Sequence, residues 1–353
     1  MISSTPKTWS IEDDFEHILS LTQDVFLSLR GASIFMTGGT GFIGCWLLES
    51  LRYADMQLGL GVKVTILTRD IVAFKLKAAH LTEYKNFKFI EGEISSFEFP
   101  EGEFTHVIHA ATDASADLNE KNPIGMFNTL IDGTRRVLDF ALEKKTSRLL
   151  YLSSGAVYGQ QPWEMEHVNE EWIGSPNCVD PRATYAEGKR AAEMVCAIYG
   201  KQYGLQISIA RIFALLGPYL SLGIHFAAGN FIKDAMQSKS IVVKGNGAPC
   251  RSYLYASDLT IWLWHLLQRG AANKPYNVGS HESVSICQLA QRVSKVLNAG
   301  DYQLLNGDDQ GWNLGRYVPD TKLIGQDLGL YKTVSLDEAI RRTALWNGWK
   351  ENN

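Results

Sequence analysis

The stretch Ile34 to Leu48, IFMTGGTGFIGCWLL, constrains this chain more than any other. Ile34 to Thr37 reads as a buried strand, and Phe42, Ile43, Trp46, Leu47 and Leu48 open a helical apolar pattern. Between them Gly38, Gly41 and Gly44 fall in a G-x-x-G-x-x-G spacing. The first glycine permits a tight turn. The second lets backbone approach a pyrophosphate, and the third lets the helix lie close to the strand. The phosphates then meet a helix N-terminus, where unpaired N–H groups and the helix dipole favour negative charge. A glycine-rich turn that binds nothing is the alternative, but a strand before and a helix after favour a dinucleotide. Gly38, Gly41, Phe42, Ile43 and Gly44 are therefore expected at the cofactor.

The rhythm continues. Val62 to Leu67, Phe87 to Ile90, Thr105 to His109, Arg148 to Leu152 and Leu205 to Arg211 read as further strands, with a helix over Met126 to Leu142. Strands alternating with helices predict an α/β fold with a parallel, doubly wound sheet. Trp9 to Leu29 carries a helical apolar stripe, with Ser10 as N-cap and Gly31 as stop. This helix precedes the first strand, so it is an addition that packs on the body or meets another subunit. The second half is less regular. Helices are expected over Asn230 to Met236, Ser257 to Leu267 and Ser285 to Val296, and short strands at Ile241 to Val243 and Tyr276 to Val278. The expected division is an extension at 1–30, a dinucleotide domain at 31–215 with returning segments near 241–280, and a smaller substrate-binding lobe mainly within 216–353.

Bulk properties exclude several classes. A net charge of −4 with no basic stripe argues against nucleic acid and anionic membranes. The five cysteines are scattered without a C-x-x-C pair, so neither a zinc site nor a disulfide framework is expected. No apolar stretch reaches the ~18 residues of a membrane span. The N-terminus has acids where a signal peptide carries basic residues, so a cytoplasmic location is expected. The histidines lack metal-ligand spacing, and no metal is expected. His106 and His109 flank a buried strand and read as structural; Trp262 and Trp264 read as core or a subunit face.

The second strand ends in Thr68, Arg69 and Asp70. An acid at this strand end favours NAD by binding the ribose 2′-hydroxyl. A hydroxyl and a guanidinium suit the 2′-phosphate of NADP instead. NADP is the expectation, with NAD the alternative through Asp70. The fourth strand ends in Ala110, Ala111 and Thr112, small residues past which a cofactor can lie, and Glu91 to Ile94 falls where an adenine loop would sit.

Tyr185 and Lys189 stand four apart, followed by helix formers, so both side chains share one helix face. A nearby ammonium favours phenolate, which would lower the tyrosine pKa and fit it to exchange a carbinol proton during hydride transfer. Ser154, just past the fifth strand, can hydrogen-bond the same oxygen. Alone, the pair reads as a surface helix contact. Its place after a strand ending in Ser-Ser, and after the glycine turn, makes the chemical reading the better one.

These segments resemble the extended short-chain dehydrogenase/reductase family, in its branch of nucleotide-sugar epimerases, dehydratases and reductases. The resemblance spans about Ala32 to Trp346. It rests on Thr37 to Gly44, Ser153 to Gly159, Tyr185-x-x-x-Lys189 and Arg251 to Asp258, with Asn277 to Ser280 and Tyr317 to Asp320 similar as well. It implies a Rossmann-type domain and a catalytic triad of Ser154, Tyr185 and Lys189. Lys189 would also bind the nicotinamide ribose, and Asn230 and Arg251 would meet the diphosphate of a nucleotide-diphosphate sugar. It also implies a homodimer paired through the helix from Met126 and the helix carrying Tyr185.

Departures from the family pattern narrow the reaction. The 4,6-dehydratases carry Asp and Glu after the catalytic hydroxyl, and UDP-glucuronate decarboxylases keep the Glu; here Gly155 and Ala156 stand there. Elimination would need acids from elsewhere, such as Asp113 or Glu187. Phe213 is followed by Ala214 where the family often has Asn, and Thr184 precedes Tyr185 where many members have Pro or Ser-Pro. With NADP expected, a 4-ketoreductase is favoured over a 4-epimerase that retains NAD. A dehydratase ranks third, and a non-catalytic dinucleotide sensor is opposed by the retained Ser154, Tyr185 and Lys189.

Overall fold

The protein is described by a computed structural model covering residues 9–111, 116–223, 227–305 and 315–351. The N-terminal half runs α1 (Ile11–Ser28), β1 (Ser33–Thr37), α2 (Phe42–Leu58), β2 (Lys63–Thr68), α3 (Ile71–Lys77), α4 (Ala79–Thr82), β3 (Phe87–Glu91), β4 (His106–His109), α5 (Ala116–Lys121), α6 (Pro123–Glu143) and β5 (Arg148–Ser154). There follow α7 (Thr184–Tyr203), β6 (Ile207–Ile212), β7 (Leu215–Leu216), α8 (Ala227–Met236), β8 (Ile241–Lys244), β9 (Cys250–Arg251), β10 (Leu254–Tyr255) and α9 (Ala256–Arg269). The chain ends with β11 (Lys274–Val278), β12 (Val284–Ser285), α10 (Ile286–Val296), β13 (Tyr302–Leu305), β14 (Arg316–Tyr317), α11 (Lys322–Leu328) and α12 (Leu336–Trp346).

Seven parallel strands form the main sheet in the order β11-β6-β5-β4-β1-β2-β3. Strand order reverses between β1 and β4, so their carboxyl ends, at Thr37 and His109 in register, open a crevice. Strand alternation supplies two cores. Ile34 and Met36 join α1, α2 and α9 residues on one face, while Phe35 joins Phe140 and Ala192 from α6 and α7 on the other. The short sheets β7–β10, β9–β12–β14 and β8–β13, with α8 and α10 to α12, form the smaller C-terminal part.

α1 packs on the body, against α2 and α9. Its Ser10 N-cap closes a capping box with Asp13. Phe15, Ile18, Val25 and Phe26 face inward, and buried Asp14 accepts hydrogen bonds from the Tyr255 hydroxyl at 2.7 Å and Arg342 at 2.5 Å. The extension is thereby tied to β10 and to α12. Trp262 and Trp264 are core: both are fully buried, and the Trp264 indole donates to Ser50 Oγ at 2.9 Å. The short elements α3 to α5, α11, α12 and the two-residue strands have no counterpart in the sequence reading.

Candidate functional site

Gly38 has φ +71°, and a Cβ there would lie 2.5–2.6 Å from the backbone of Ala110 and Ala111. The glycine turn is thus pressed against the end of β4, as a crevice at the switch point requires. A Cβ on Gly44 would meet the Gly38 carbonyl at 2.3 Å, so α2 begins in direct backbone contact with the turn. Gly41 is the N-cap of α2 and brings no side-chain acceptor to the helix's first N–H groups. Those groups, at Phe42 and Ile43, suit a pyrophosphate. Thr37 Oγ1 accepts the Ala111 N–H at 3.1 Å and bonds His109 Nδ1 at 2.8 Å, which locks the two strand ends together. Lys77 braces the turn by donating to the Thr40 carbonyl at 3.0 Å. These residues fit a dinucleotide. Thr112 lies outside the described residues, as does Asp113.

Thr68 is buried, and its Oγ1 accepts the Asp70 N–H at 3.4 Å. Asp70 caps α3 through Ala73 N–H at 2.8 Å. In register beside Thr68 stands Glu91 of β3, whose carboxylate lies 3.4 Å from the Ile71 N–H. Two carboxylates therefore flank exposed Arg69. They oppose a 2′-phosphate and suit ribose hydroxyls.

The end of β5 and the start of α7 bring Ser154, Tyr185 and Lys189 together. Ser154 hydrogen-bonds the Tyr185 side chain. Lys189 is fully enclosed and donates from Nζ to the Leu152 carbonyl at 2.6 Å, with the Tyr151 ring 5.0 Å away. Burial raises the Tyr185 pKa, and the Ser154 bond only partly offsets that. This corrects the expected downward shift, because desolvation of the phenol outweighs the lysine's pull. Burial also draws Lys189 down to about 7, against the opposing charge of Glu193. His109, between Thr37 and Thr134, is pulled to about 3 by burial and by Lys189, and His106 to about 4; both are neutral structural groups.

Four neighbours went unassigned in the sequence. Tyr317 of β14 is buried beside Ser154, its hydroxyl 3.4 Å from Ser154 Oγ and 3.3 Å from the Ile212 carbonyl. Phe213 stacks on Tyr317 with ring centroids 4.5 Å apart. A Cβ on Gly155 would meet three Phe213 ring carbons at 2.6–2.8 Å, so the ring fills the space where a side chain at 155 would project. Glu193 and Arg211 pair at 2.7 Å behind the site. A readable signal existed for one of them: Arg211 is a charge inside the apolar run of β6, which needs a buried partner.

Arg251 of β9 donates to the Cys250 and Gly315 carbonyls, both at 2.8 Å, and its charge bears on Tyr317. Asn230 lies in the first turn of α8, and among the described residues no hydrogen bond joins it to Ser154. Glu187 pairs with Arg190 at 3.5 Å. Among the described residues no cluster of His, Cys, Asp or Glu could hold a metal, and no helix is long and apolar enough to cross a membrane.

The model of the NAD dependent epimerase/dehydratase family matches residues 34–279, from the first strand to the end of β11. The chain belongs to that family. It is an NAD(P)-dependent enzyme of the extended short-chain dehydrogenase/reductase fold. Among epimerase/dehydratase relatives, UDP-glucuronic acid decarboxylase 1 of Danio rerio is 32% identical over 92% of this chain and 76% of its own length. The Xenopus tropicalis decarboxylase 1 is 31% identical over 88% and 70%. A solved UDP-glucose 4-epimerase of Thermus thermophilus in complex with NAD superposes with a TM-score of 0.74, at 24% identity, covering 90% of this chain and 99% of that one. Three more solved structures of this fold hold NAD. These NAD complexes, with the carboxylates of Asp70 and Glu91 around Arg69, overturn the expectation of NADP.

Proposed function

We propose that this protein is an NAD-dependent nucleotide-sugar 4-epimerase that keeps its dinucleotide through turnover. The observation that carries this reading is the pairing of a complete proton relay with a blocked acid position. Ser154, Tyr185 and Lys189 converge, while Gly155 lies under the Phe213 ring and Ala156 follows. Removal of water or carboxylate beside the reacting carbinol has no acid at these two places. Correcting NADP to NAD also removes the ground for a ketoreductase that consumes NADPH. Similarity to decarboxylases favours UDP-glucuronate decarboxylation as the second reading; Ala156, in place of the Glu those enzymes keep, opposes it.

The strands up to β6, with β11, hold the cofactor in this reading, and the smaller C-terminal part holds the nucleotide sugar, with Asn230 and Arg251 toward its diphosphate. When bound, NAD accepts a hydride from the sugar C4 and returns it. Tyr185 takes the 4-hydroxyl proton and later gives it back. Ser154 holds the same oxygen in line, and Lys189 supports the phenolate by its charge. Gly38 and Gly41 admit the pyrophosphate to the α2 N-terminus. A homodimer through α6 and α7 fits the exposed apolar Ile124, Met194, Ile198 and Tyr203 on those helices.

Acid release of bound dinucleotide from the purified protein, followed by proton NMR of incubations with UDP-glucose, UDP-glucuronate and dTDP-glucose, tests the reading. Stoichiometric NAD and a C4 epimer formed without added reductant are expected. An NADPH-dependent reduced product, or loss of carbon dioxide from UDP-glucuronate, would replace it. Tyr185→Phe should abolish turnover and leave NAD content unchanged; an unaffected rate would point to a non-catalytic role. Light scattering at micromolar concentration should give twice the chain mass.

A further inference from the structure

The relay lysine sits in a poor place for a charge. Around it stand His109 from β4, Tyr151 from β5, and Tyr185, Glu193 and Cys196 on its own helix. His109 is neutral, and burial holds the Cys196 thiol and the Tyr151 phenol in their protonated forms. Glu193 alone among them is an anion at neutral pH. It lies four residues after Lys189, on the same face of α7.

Glu193 is also held with unusual care. Its side chain is 11% exposed. Oε1 accepts from Ser153 Oγ at 2.5 Å and from Arg211 Nε at 3.1 Å, and Oε2 accepts from Arg211 Nη2 at 2.7 Å. Arg211 lies 4.7 Å from the Tyr158 ring, and Tyr158 donates to Asn277 Oδ1 at 2.7 Å. Asn277 in turn donates to the carbonyls of Val168 and Asp320. One chain of contacts thus runs from α7 to the strand that delivers Ser154 and on to the segment that delivers Tyr317.

We infer that Glu193 is a positioning residue of the proton relay: fixed by Ser153 and Arg211, it supplies the negative charge that keeps Lys189 an ammonium. The inference rests on the reading of Tyr185 and Lys189 as that relay. Without the carboxylate, Lys189 faces only neutral groups, loses its proton at lower pH, and ceases to support the Tyr185 phenolate.

The test is the titration of Lys189 in the purified, NAD-containing protein. Lysine labelled with ¹³C at Cε is followed by NMR from pH 5 to 10, and the signal is assigned by its loss in Lys189→Arg. In Glu193→Gln the midpoint should fall by about one unit or more, the usual effect of removing a close opposite charge. Glu193→Asp should recover part of the fall. A midpoint unchanged in Glu193→Gln overturns the inference. If that variant does not fold, Glu193→Gln combined with Arg211→Met removes both buried charges, and the same fall or its absence decides. The basic limb of the turnover profile should move with the midpoint; a limb that stays put overturns the functional half. The midpoint needs no substrate, so a wrong choice of reaction leaves this result standing.

Discussion

Gly155→Ala should destabilise the protein through one contact, and Phe213→Leu should relieve it. The added Cβ would lie 2.6, 2.7 and 2.8 Å from Phe213 Cζ, Cε1 and Cε2. Ordinary carbon contacts begin near 3.5 Å, so the overlap is roughly 0.7–0.9 Å with three atoms at once. The ring cannot swing away cheaply. It is 4% exposed, packed on Tyr317 at 4.5 Å and near Tyr158 at 6.3 Å, with Gly279 behind its Cβ. Overpacking of this kind costs about 1–3 kcal/mol. Phe213→Leu alone leaves a gap and is also destabilising. Together the two changes should cost about 1–2 kcal/mol less than their sum, because the smaller side chain vacates the space the methyl enters. Urea unfolding of the four proteins, with NAD saturating throughout, measures the cycle. Additivity within about 0.5 kcal/mol would refute the claim that the ring and the glycine are complementary. The same claim predicts that Gly155→Asp does not install a working acid while Phe213 is present. It should become compatible with a folded site only alongside a smaller residue at 213.

Gly38→Ala forces a left-handed residue and a backbone clash with Ala110 and Ala111; NAD affinity measured by calorimetry should fall more than about tenfold, roughly 1.4 kcal/mol. Asp14 has its pKa raised to about 6 by burial, so the folded state holds its proton more tightly than the unfolded chain does. Its contribution is complete below about pH 4 and is lost as pH rises through about 6, a change on the order of 3 kcal/mol. Stability should therefore decline less over that interval in Asp14→Asn than in the parent, as urea midpoints at each pH will show. Tyr317→Phe keeps the stack on Phe213 and removes the hydroxyl 3.4 Å from Ser154; turnover should fall about three- to tenfold with NAD content unchanged, the worth of one modest hydrogen bond.

What could be read from the sequence was what repeats or what is local. Strand and helix periods placed six of the seven strands of the main sheet within two residues, and the seventh, β11, in its C-terminal three. The glycine spacing located the turn because each glycine answers a backbone approach that no side chain tolerates. Tyr185 and Lys189 were legible because a helix brings i and i+4 to one face. Their protonation was misjudged because burial, which dominates both shifts, is a property of the whole fold. NADP was expected from Thr68 and Arg69 because Glu91 comes beside them only by strand pairing. Phe213 over Gly155 and Tyr317 beside Ser154 were hidden for the same reason: each contact joins segments far apart in the chain.

The residues that perform hydride and proton transfer and those that choose the reaction are thus placed by different parts of the fold. Ser154, Tyr185 and Lys189 come from β5 and α7, inside the sheet-and-helix frame that every member of such a family must build to hold a dinucleotide. The ring over Gly155 comes from the end of β6, and the hydroxyl beside Ser154 comes from β14, which pairs with β9 and so with the strand bearing Arg251. A change in the C-terminal part can then alter which bonds break after oxidation while leaving the oxidation itself in place. This explains how identity above 30% to a decarboxylase can coexist with a site that lacks an acid at Gly155 and Ala156. It also fixes where conversion has to begin: at Phe213, because no acid can enter at 155 until that ring is smaller.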